Sequence, residues 1–360
     1  MSLRVLHIIP SFAGGGAERQ LVDLCAGLVV RGVEVHVAYQ HAGPNLHNAK
    51  SSGIRLHKIN IVNSHNPLFI IALYRLIRKV SPHLIQTWLL QSDVFGGIAS
   101  RICRIPWVLN ERSCEGAYAE GYKYVLRRHL GLSADAIIAN SEGGLSYWRK
   151  VGYSGKAMVI HNIVKARDSH TTLEVNASKF GFEIIAVGRF SKEKNWPILI
   201  KALEIVFREI PTSYATLAGD GPLLSQIKMD VASSTILSGR VNFLGYTNDI
   251  PERIRRADVF VSLSEFEGSP NSVIEAIGVE CPVVVSNIPA HHELLFKDEA
   301  LFVTPSNINE IATAIIDIVR NPEILSRGAK RARERISNWN SETIALKYIS
   351  SYMDILEGVK

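Results

Sequence analysis

Along the chain, short and nearly continuous apolar runs alternate with longer segments whose apolar positions recur every three or four residues. RVLHII, VEVHVAY, IRLHKI, HLIQTW, WVLN, AIIAN and MVIHN are the runs of the first half. EIIAV, YATLAG, VNFLG, VFVSL, PVVVS and LFVTP are those of the second. Runs this short and this apolar read as strands buried on both faces, so they belong to parallel sheets covered by the intervening amphipathic helices. Two such series in tandem predict two doubly wound α/β domains. The polar stretch VKARDSHTTLEVNASKFG, Val164 to Gly181, breaks the rhythm and is the expected linker. It divides the chain into a first domain, 1–166, and a second, 167–342. The last segment, WNSETIALKYISSYMDIL, has helical period, and residues 343–360 are expected to pack back on the first domain.

Composition changes this picture little, but charge does. Of 360 residues 47% are hydrophobic and 21% charged, enough apolar material for two cores. No apolar run reaches the roughly 18 residues that span a bilayer. The first apolar run leads into glycines rather than a cleavage site, so no secretory leader is expected. Cys25, Cys103, Cys114 and Cys281 lie far apart without metal-ligand spacing and read as reduced thiols of a cytoplasmic protein. The net charge of +6 is uneven: residues 1–170 hold 20 Lys+Arg against 10 Asp+Glu, and the remainder 20 against 24. A basic first half suits an anionic partner, a membrane surface or nucleic acid, or is a solvated surface with cations to spare. YKYVLRRHLGL, Tyr122 to Leu132, has the mix of a surface-binding helix, with Lys123, Arg127 and Arg128 as its cations, or is an ordinary amphipathic helix. No RNP, zinc or helix-turn-helix signature points to nucleic acid.

In open α/β sheets ligands sit beyond the carboxyl ends of the strands, so the loops after the apolar runs hold the candidate chemistry. Gly14, Gly15 and Gly16 follow the first run and precede a helix from about Ala17. The loop suits an anion at a positive helix end, or is a tight structural turn. It lacks the third glycine of a dinucleotide fingerprint, because Arg19 stands there, and it lacks a Walker GK[ST]. In the second half, SEFEGSPNSVIEA places Ser269 as a helix N-cap and Pro270 at the first helical position, with the amides of Asn271 and Ser272 directed at a ligand. Glu267 and Glu275 flank that site. They suit sugar or ribose hydroxyls, or serve the helix dipole. GRFSKEKN carries Arg189 and Lys194, two cations that fit a diphosphate or a solvated basic loop. AGDGPLL and FLGYTND add Gly219 and Tyr246. His161 reads as a structural histidine, Glu265 as a loop-orienting carboxylate, and HHELL lacks a third metal ligand.

GGGAER, GRFSKEKN, AGDGP, FLGYTNDI and EFEGSPNSVIEA, in that order, resemble the retaining nucleotide-sugar glycosyltransferases of family 4 over nearly the whole chain. The most specific element is the E-x7-E pair Glu267 and Glu275. The resemblance implies a GT-B fold, two Rossmann-like doubly wound domains facing a central cleft. It implies a donor nucleoside-diphosphate sugar, with a UDP-sugar favoured, held by the second domain. Glu275 would bind the ribose and Glu267 the transferred sugar, while Arg189 and Lys194 would stabilise the leaving diphosphate. Ser269, Pro270, Asn271 and Ser272 would contribute backbone amides and packing around the phosphate and sugar. Gly15 and Gly16 would approach the diphosphate from the first domain, and Gly219 and Tyr246 would flank the base. No metal and no cofactor is expected, since no D-x-D motif is present to hold a metal.

The acceptor implied is a glycan or a polyprenyl-linked lipid, met at the inner face of the cell membrane in polysaccharide or glycolipid synthesis. Many relatives carry a histidine after the strand corresponding to WVLN. Here LNERSCEG places Asn110, Glu111 and Arg112 there, and one of them is expected to touch the sugar or the acceptor. Transfer is expected beside the leaving phosphate. The competing scheme is a double displacement on a carboxylate, for which Glu111 is the candidate. Two other readings stand beside the transferase: a GT-B sugar-nucleotide epimerase and a non-catalytic nucleotide-binding protein.

Overall fold

A computed structural model of the chain describes residues 2–61, 68–118, 121–164, 181–247 and 249–358. The chain divides into two compact units, Met1–Ile163 with Trp339–Lys360, and Val164–Asn338. Of the expected linker only Val164 and Gly181 are described, and the expected boundary after residue 166 lies outside the described residues.

The first unit holds seven strands, β1 (Arg4–Ile8), β2 (Glu34–Tyr39), β3 (Arg55–Lys58), β4 (Leu84–Trp88), β5 (Trp107–Glu111), β6 (Ala136–Ala139) and β7 (Lys156–Val159). All pair in parallel, in the order β3-β2-β1-β4-β5-β6-β7. Alternate side chains serve opposite faces. Val5, Val37, Leu84, Val108 and Ile138 pack with Leu21, Leu24 and Leu28 of the helix Gly16–Val30 and with Tyr348, Tyr352 and Ile355 of the helix Ser341–Glu357. Leu6, Ile8 and Ile85 pack on the other face against Phe69, Leu73 and Ile77 of the helix Leu68–Val80. The run MVIHN predicts a strand to His161, but β7 starts earlier and stops at Val159. As an edge strand it pairs only with β6, and the pairing ends at Ala139. His161 then stacks on Trp339, ring centroids 4.0 Å apart.

The second unit holds β8 (Glu183–Val187), β9 (Tyr214–Ala218), β10 (Val241–Gly245), β11 (Val259–Ser262), β12 (Val283–Ser286) and β13 (Leu301–Val303), in the parallel order β10-β9-β8-β11-β12-β13. Its core joins Ile184, Leu217, Val259 and Val261 to Leu203 and Phe207 of the helix Trp196–Glu209 and to Ile311 and Ile315 of the helix Ile308–Arg320. In each unit the strand order reverses once, between β1 and β4 and between β8 and β11. A doubly wound sheet opens its ligand crevice at such a reversal.

One buried cluster corrects two expectations. Arg127, on the helix Tyr122–Gly131, is 3% exposed rather than a surface cation. Its Nε donates to Asp93 Oδ2 at 2.7 Å and its Nη2 to Glu111 Oε2 at 3.0 Å. Its guanidinium also lies over the rings of Tyr118 and Trp148. Arginine's fork can span two carboxylates, which is why this side chain turns inward and its neighbours Lys123 and His129 do not. Glu111 is fully buried. Its Oε2 also accepts Trp148 Nε1 at 2.8 Å, and its Oε1 accepts Ser113 N at 2.9 Å and the Tyr118 hydroxyl. With four protein donors, its carboxylate holds the fold and is closed to a sugar. Burial pushes the Asp93 carboxyl up to about 6 against the pull of Arg127.

Removing one partner of a buried charge network strands the others. Arg127→Met is expected to lower unfolding free energy by about 3–5 kcal/mol. Adding Asp93→Asn and Glu111→Gln should restore part of it. Denaturant titration checks both, and a triple variant no more stable than the single one would refute the account.

Candidate active site

The loop after β8 carries Arg189 and Lys194. It is held from both sides. Phe190 and Trp196 stack with centroids 4.0 Å apart, and Trp196 Nε1 donates to Arg189 O at 2.8 Å. Asn195 takes a left-handed conformation, φ 54°, and donates from Nδ2 to Leu263 O at 3.2 Å. Glu265 N donates to Glu193 O at 2.8 Å, so the exposed Glu265 ties the two loops by its backbone. These links bring the loops after β8 and β11 together at the reversal of strand order.

There Lys194 Nζ pairs with Glu267 Oε1, and Ser264 Oγ donates to the same oxygen at 2.7 Å. The two side chains are 20% and 15% exposed. Burial pushes the Glu267 carboxyl up, but the charge of Lys194 and the hydrogen bonds from Lys194 and Ser264 outweigh it and hold it below the usual glutamate range. Arg189 is exposed, and among the described residues nothing engages its guanidinium. In this loop Lys194 is therefore neutralised and Arg189 is open.

The helix after Glu267 runs Asn271–Gly278 and starts one residue later than its sequence suggests. Pro270 is the N-cap, not the first helical residue, because its ψ of 99° is extended. Its carbonyl receives Val273 N and Ile274 N, both at 3.1 Å. Ser269, Asn271, Ser272 and Glu275 are half-buried around this helix start. Gly219, φ 138°, lets its backbone press against the Gly188 carbonyl, where any side chain would collide. Its N donates to Gly245 O at 2.8 Å, which brings Tyr246, 44% exposed, beside it.

Sequence reasoning overlooked Ser264 and the supporting role of His291. His291 is fully buried, with Nδ1 2.7 Å from Ser286 O, and Ser286 Oγ donates to Ser264 O at 2.5 Å. A carbonyl only accepts, so Nδ1 carries the proton. Burial holds the ring's pKa down, at about 4. A neutral histidine thus braces the serine that faces Glu267. The HH pair offers no signal for this, because only the packing separates buried His291 from exposed His292. Among the described residues no three His, Cys, Asp or Glu side chains gather as a metal-binding group.

In the first unit, Gly15 is the N-cap of the helix Gly16–Val30. Glu18 folds its carboxylate back over Gly15, so a side chain there would strike it. Burial raises the Glu18 pKa. The positive end of this helix already faces a carboxyl group of the protein. Asn110 is 1% exposed on β5. Arg112 follows β5 and is half-buried, with Nη2 donating to Asn162 Oδ1 at 2.5 Å.

Residues 14–167 match the family described as Glycosyltransferase Family 4, and residues 174–335 match Glycosyl transferases group 1. The chain is a family 4 glycosyltransferase. Among its relatives, the lipopolysaccharide core biosynthesis glycosyltransferase LpsD of Rhizobium meliloti is 24% identical, over 99% of this chain and 98% of that one. The UDP-Gal:alpha-D-GlcNAc-diphosphoundecaprenol alpha-1,3-galactosyltransferase of Escherichia coli is also 24% identical, over 75% of this chain and 74% of its own. Anabaena HepE, solved with UDP and glucose, superposes with a TM-score of 0.83 at 22% identity, covering 97% and 99% of the two chains. Sucrose-phosphate synthase of Thermosynechococcus elongatus gives 0.84 at 20%, covering 99% and 100%. The glycosyltransferase therefore has the GT-B fold, built here from sheets of seven and six parallel strands.

For the glycosyltransferase's Lys194–Glu267 pair, a depressed carboxylate pKa means stability that is present above the ordinary glutamate value and lost as pH falls through the folded one. Lys194→Met removes the main opposing charge and leaves burial. Carboxyl NMR of glutamate-labelled protein should show the Glu267 midpoint moving upward. A midpoint that stays below the ordinary value would refute this balance.

Proposed function

We propose that the protein transfers a sugar, with retention, from a UDP-sugar to a glycan or a polyprenyl-linked acceptor, the second unit holding the donor and the first the acceptor. The observation that carries this is the Lys194–Glu267 pair with open Arg189 in the same loop, at the strand reversal of the second unit. The base and the acceptor class are argued from the relatives: HepE was solved with UDP, and the Escherichia coli enzyme is named for UDP-Gal and a diphosphoundecaprenol acceptor.

In this reading Arg189 makes a forked contact to the diphosphate and Lys194 a point-charge contact. The helix start at Ser269 to Ser272 adds amide dipoles. Glu267, fixed by Lys194 and Ser264, accepts hydroxyls of the transferred sugar. Glu275 accepts the ribose hydroxyls, while Gly219 and Tyr246 flank the base. Cations and dipoles neutralise the departing diphosphate without a metal. As the bond from the anomeric carbon to the phosphate oxygen breaks, the acceptor oxygen bonds to that carbon on the same face. The acceptor's proton passes to the departing phosphate. Double displacement on Glu111 is disfavoured, because its oxygens already accept four protein donors. Asn110 and Arg112 remain for the sugar or the acceptor, and the Gly15–Gly16 loop for the diphosphate.

Calorimetric titration with UDP, GDP and ADP, with and without EDTA, tests the donor. Micromolar UDP binding indifferent to EDTA is expected. Glu275→Ala should weaken it by about 1.5–3 kcal/mol, the worth of a hydrogen bond to a charged group. Glu267→Ala should spoil turnover more than UDP affinity. Equal UDP affinities for the two variants would overturn the assigned roles.

We also propose that the first unit lies on anionic lipid. The helices Leu68–Val80, Leu89–Cys103 and Tyr122–Gly131 pack side by side. They expose Ile71, Tyr74, Ile102, Tyr122, Val125 and Leu126. Exposed Arg75, Arg78, Lys79 and Lys123 accompany them, and the only acid in these three helices is buried Asp93. Arg127, being internal, has no part in the contact. Each surface cation contributes about 1 kcal/mol at an anionic membrane. Reversing Arg75, Lys79 and Lys123 to Glu should abolish co-sedimentation with phosphatidylglycerol vesicles. Unchanged pelleting would sink the idea.

A further inference from the structure

In the first unit Arg127 is buried and Arg112 half-buried, and their guanidinium groups are treated differently. Arg127 is matched by two carboxylates. Arg112 is matched by none. Its Nη2 donates to the neutral amide of Asn162, its guanidinium lies over the Trp88 indole at 5.1 Å, and its Nε is buried without a partner. Among the described residues it makes no ion pair, and its Nη1 is unengaged. Glu111, its chain neighbour, is held by Arg127 and three further donors. Burial pushes the Arg112 pKa down, against the pull of Tyr348 and Glu111.

A charge taken out of water is ordinarily paired. An unpaired one at a strand's carboxyl end leaves its anion to be brought by a ligand. Arg112 directly follows β5, beside β4, whose last residue is Trp88, and β4 borders β1 across the reversal of strand order. The indole beneath and Asn162 beside it fix the guanidinium plane, so Nη1 and the second hydrogen of Nη2 present donors in a fixed direction. A tetrahedral phosphate oxygen pair fits such a fork.

We propose that Arg112, seated on Trp88 and Asn162, is a phosphate-binding residue of the first unit, separate from the Arg189 and Lys194 cations of the second. It rests on the transferase reading only for the source of the phosphate, which is either the donor's diphosphate or a phosphate carried by the acceptor.

The probe is inorganic pyrophosphate, titrated calorimetrically into an Arg189→Ala/Lys194→Ala protein, which lacks the second unit's cations. Binding is expected there, and adding Arg112→Gln should weaken it at least tenfold, about 1.4 kcal/mol. No binding before that change, or the same affinity after it, overturns the proposal. If Arg112→Gln does not fold, Arg112→Lys decides: losing the fork should weaken binding at least threefold, and equal affinity overturns it. With Arg189 and Lys194 intact, the same Arg112 variants are titrated with UDP and with farnesyl diphosphate. Loss confined to UDP assigns the donor's diphosphate, and loss confined to the prenyl diphosphate assigns the acceptor's. Pyrophosphate binding through Arg112 in a protein that takes no nucleotide would leave this site standing and remove the transferase reading.

Discussion

A parallel sheet buried on both faces must return the chain by a helix after every strand. Where the winding changes sides, the helices that follow two neighbouring strands lie on opposite faces of the sheet, and a crevice opens at the ends of those strands. Most features of the candidate site descend from that constraint. In the second unit the reversal falls between β8 and β11, and the loops after these two strands, tied to one another, carry Lys194 and Glu267. Residues 73 positions apart in the chain meet because the strands that deliver them are hydrogen-bonded neighbours. The first unit repeats the arrangement with the glycine loop after β1 and Trp88 at the end of β4.

Charge is distributed through this frame with a clear division. Some charges are closed: Arg127 with Asp93 and Glu111, a network whose donors and acceptors are mostly mutually satisfied in the core. Others are held but open: Arg189 in a loop pinned by Trp196, and Arg112 on an indole and an amide. Closed networks fix side-chain positions, and open cations keep a reserve of unmet solvation that an anion can supply. Glu267 stands between the two. It is ionised because Lys194 and Ser264 overcome its burial, and it is partly exposed, so hydroxyl donors can still reach it.

Much of this was legible in the sequence. All thirteen apolar runs became strands, because a strand buried on both faces has to be apolar throughout, and the short runs bounded by polar segments leave few alternatives. The motifs in family order identified the glycosyltransferase, and they placed Lys194 and Glu267 on strand-end loops and Glu275 in the helix that follows. The errors were local and electrostatic. The basic helix YKYVLRRHLG reads as a surface element with three equivalent cations. Yet one of them, Arg127, is internal, since the carboxylates that draw it in come from positions 93 and 111. The same blindness made Glu111 look like an available carboxylate.

The sequence by itself determined the alternation of strand and helix, the division into two windings, the loops that hold the chemistry and the family. Those depend on periodicity and composition over short windows, where each residue's preference is set by its neighbours in the chain. Only the tertiary structure decided which charges are neutralised within the protein and which stay open. It also decided that His291 is a buried neutral brace while His292 is exposed, and that Pro270 caps its helix rather than entering it. Burial and pairing depend on what arrives from distant positions, and a carboxylate's or guanidinium's role is set by those partners, not by its place in a motif.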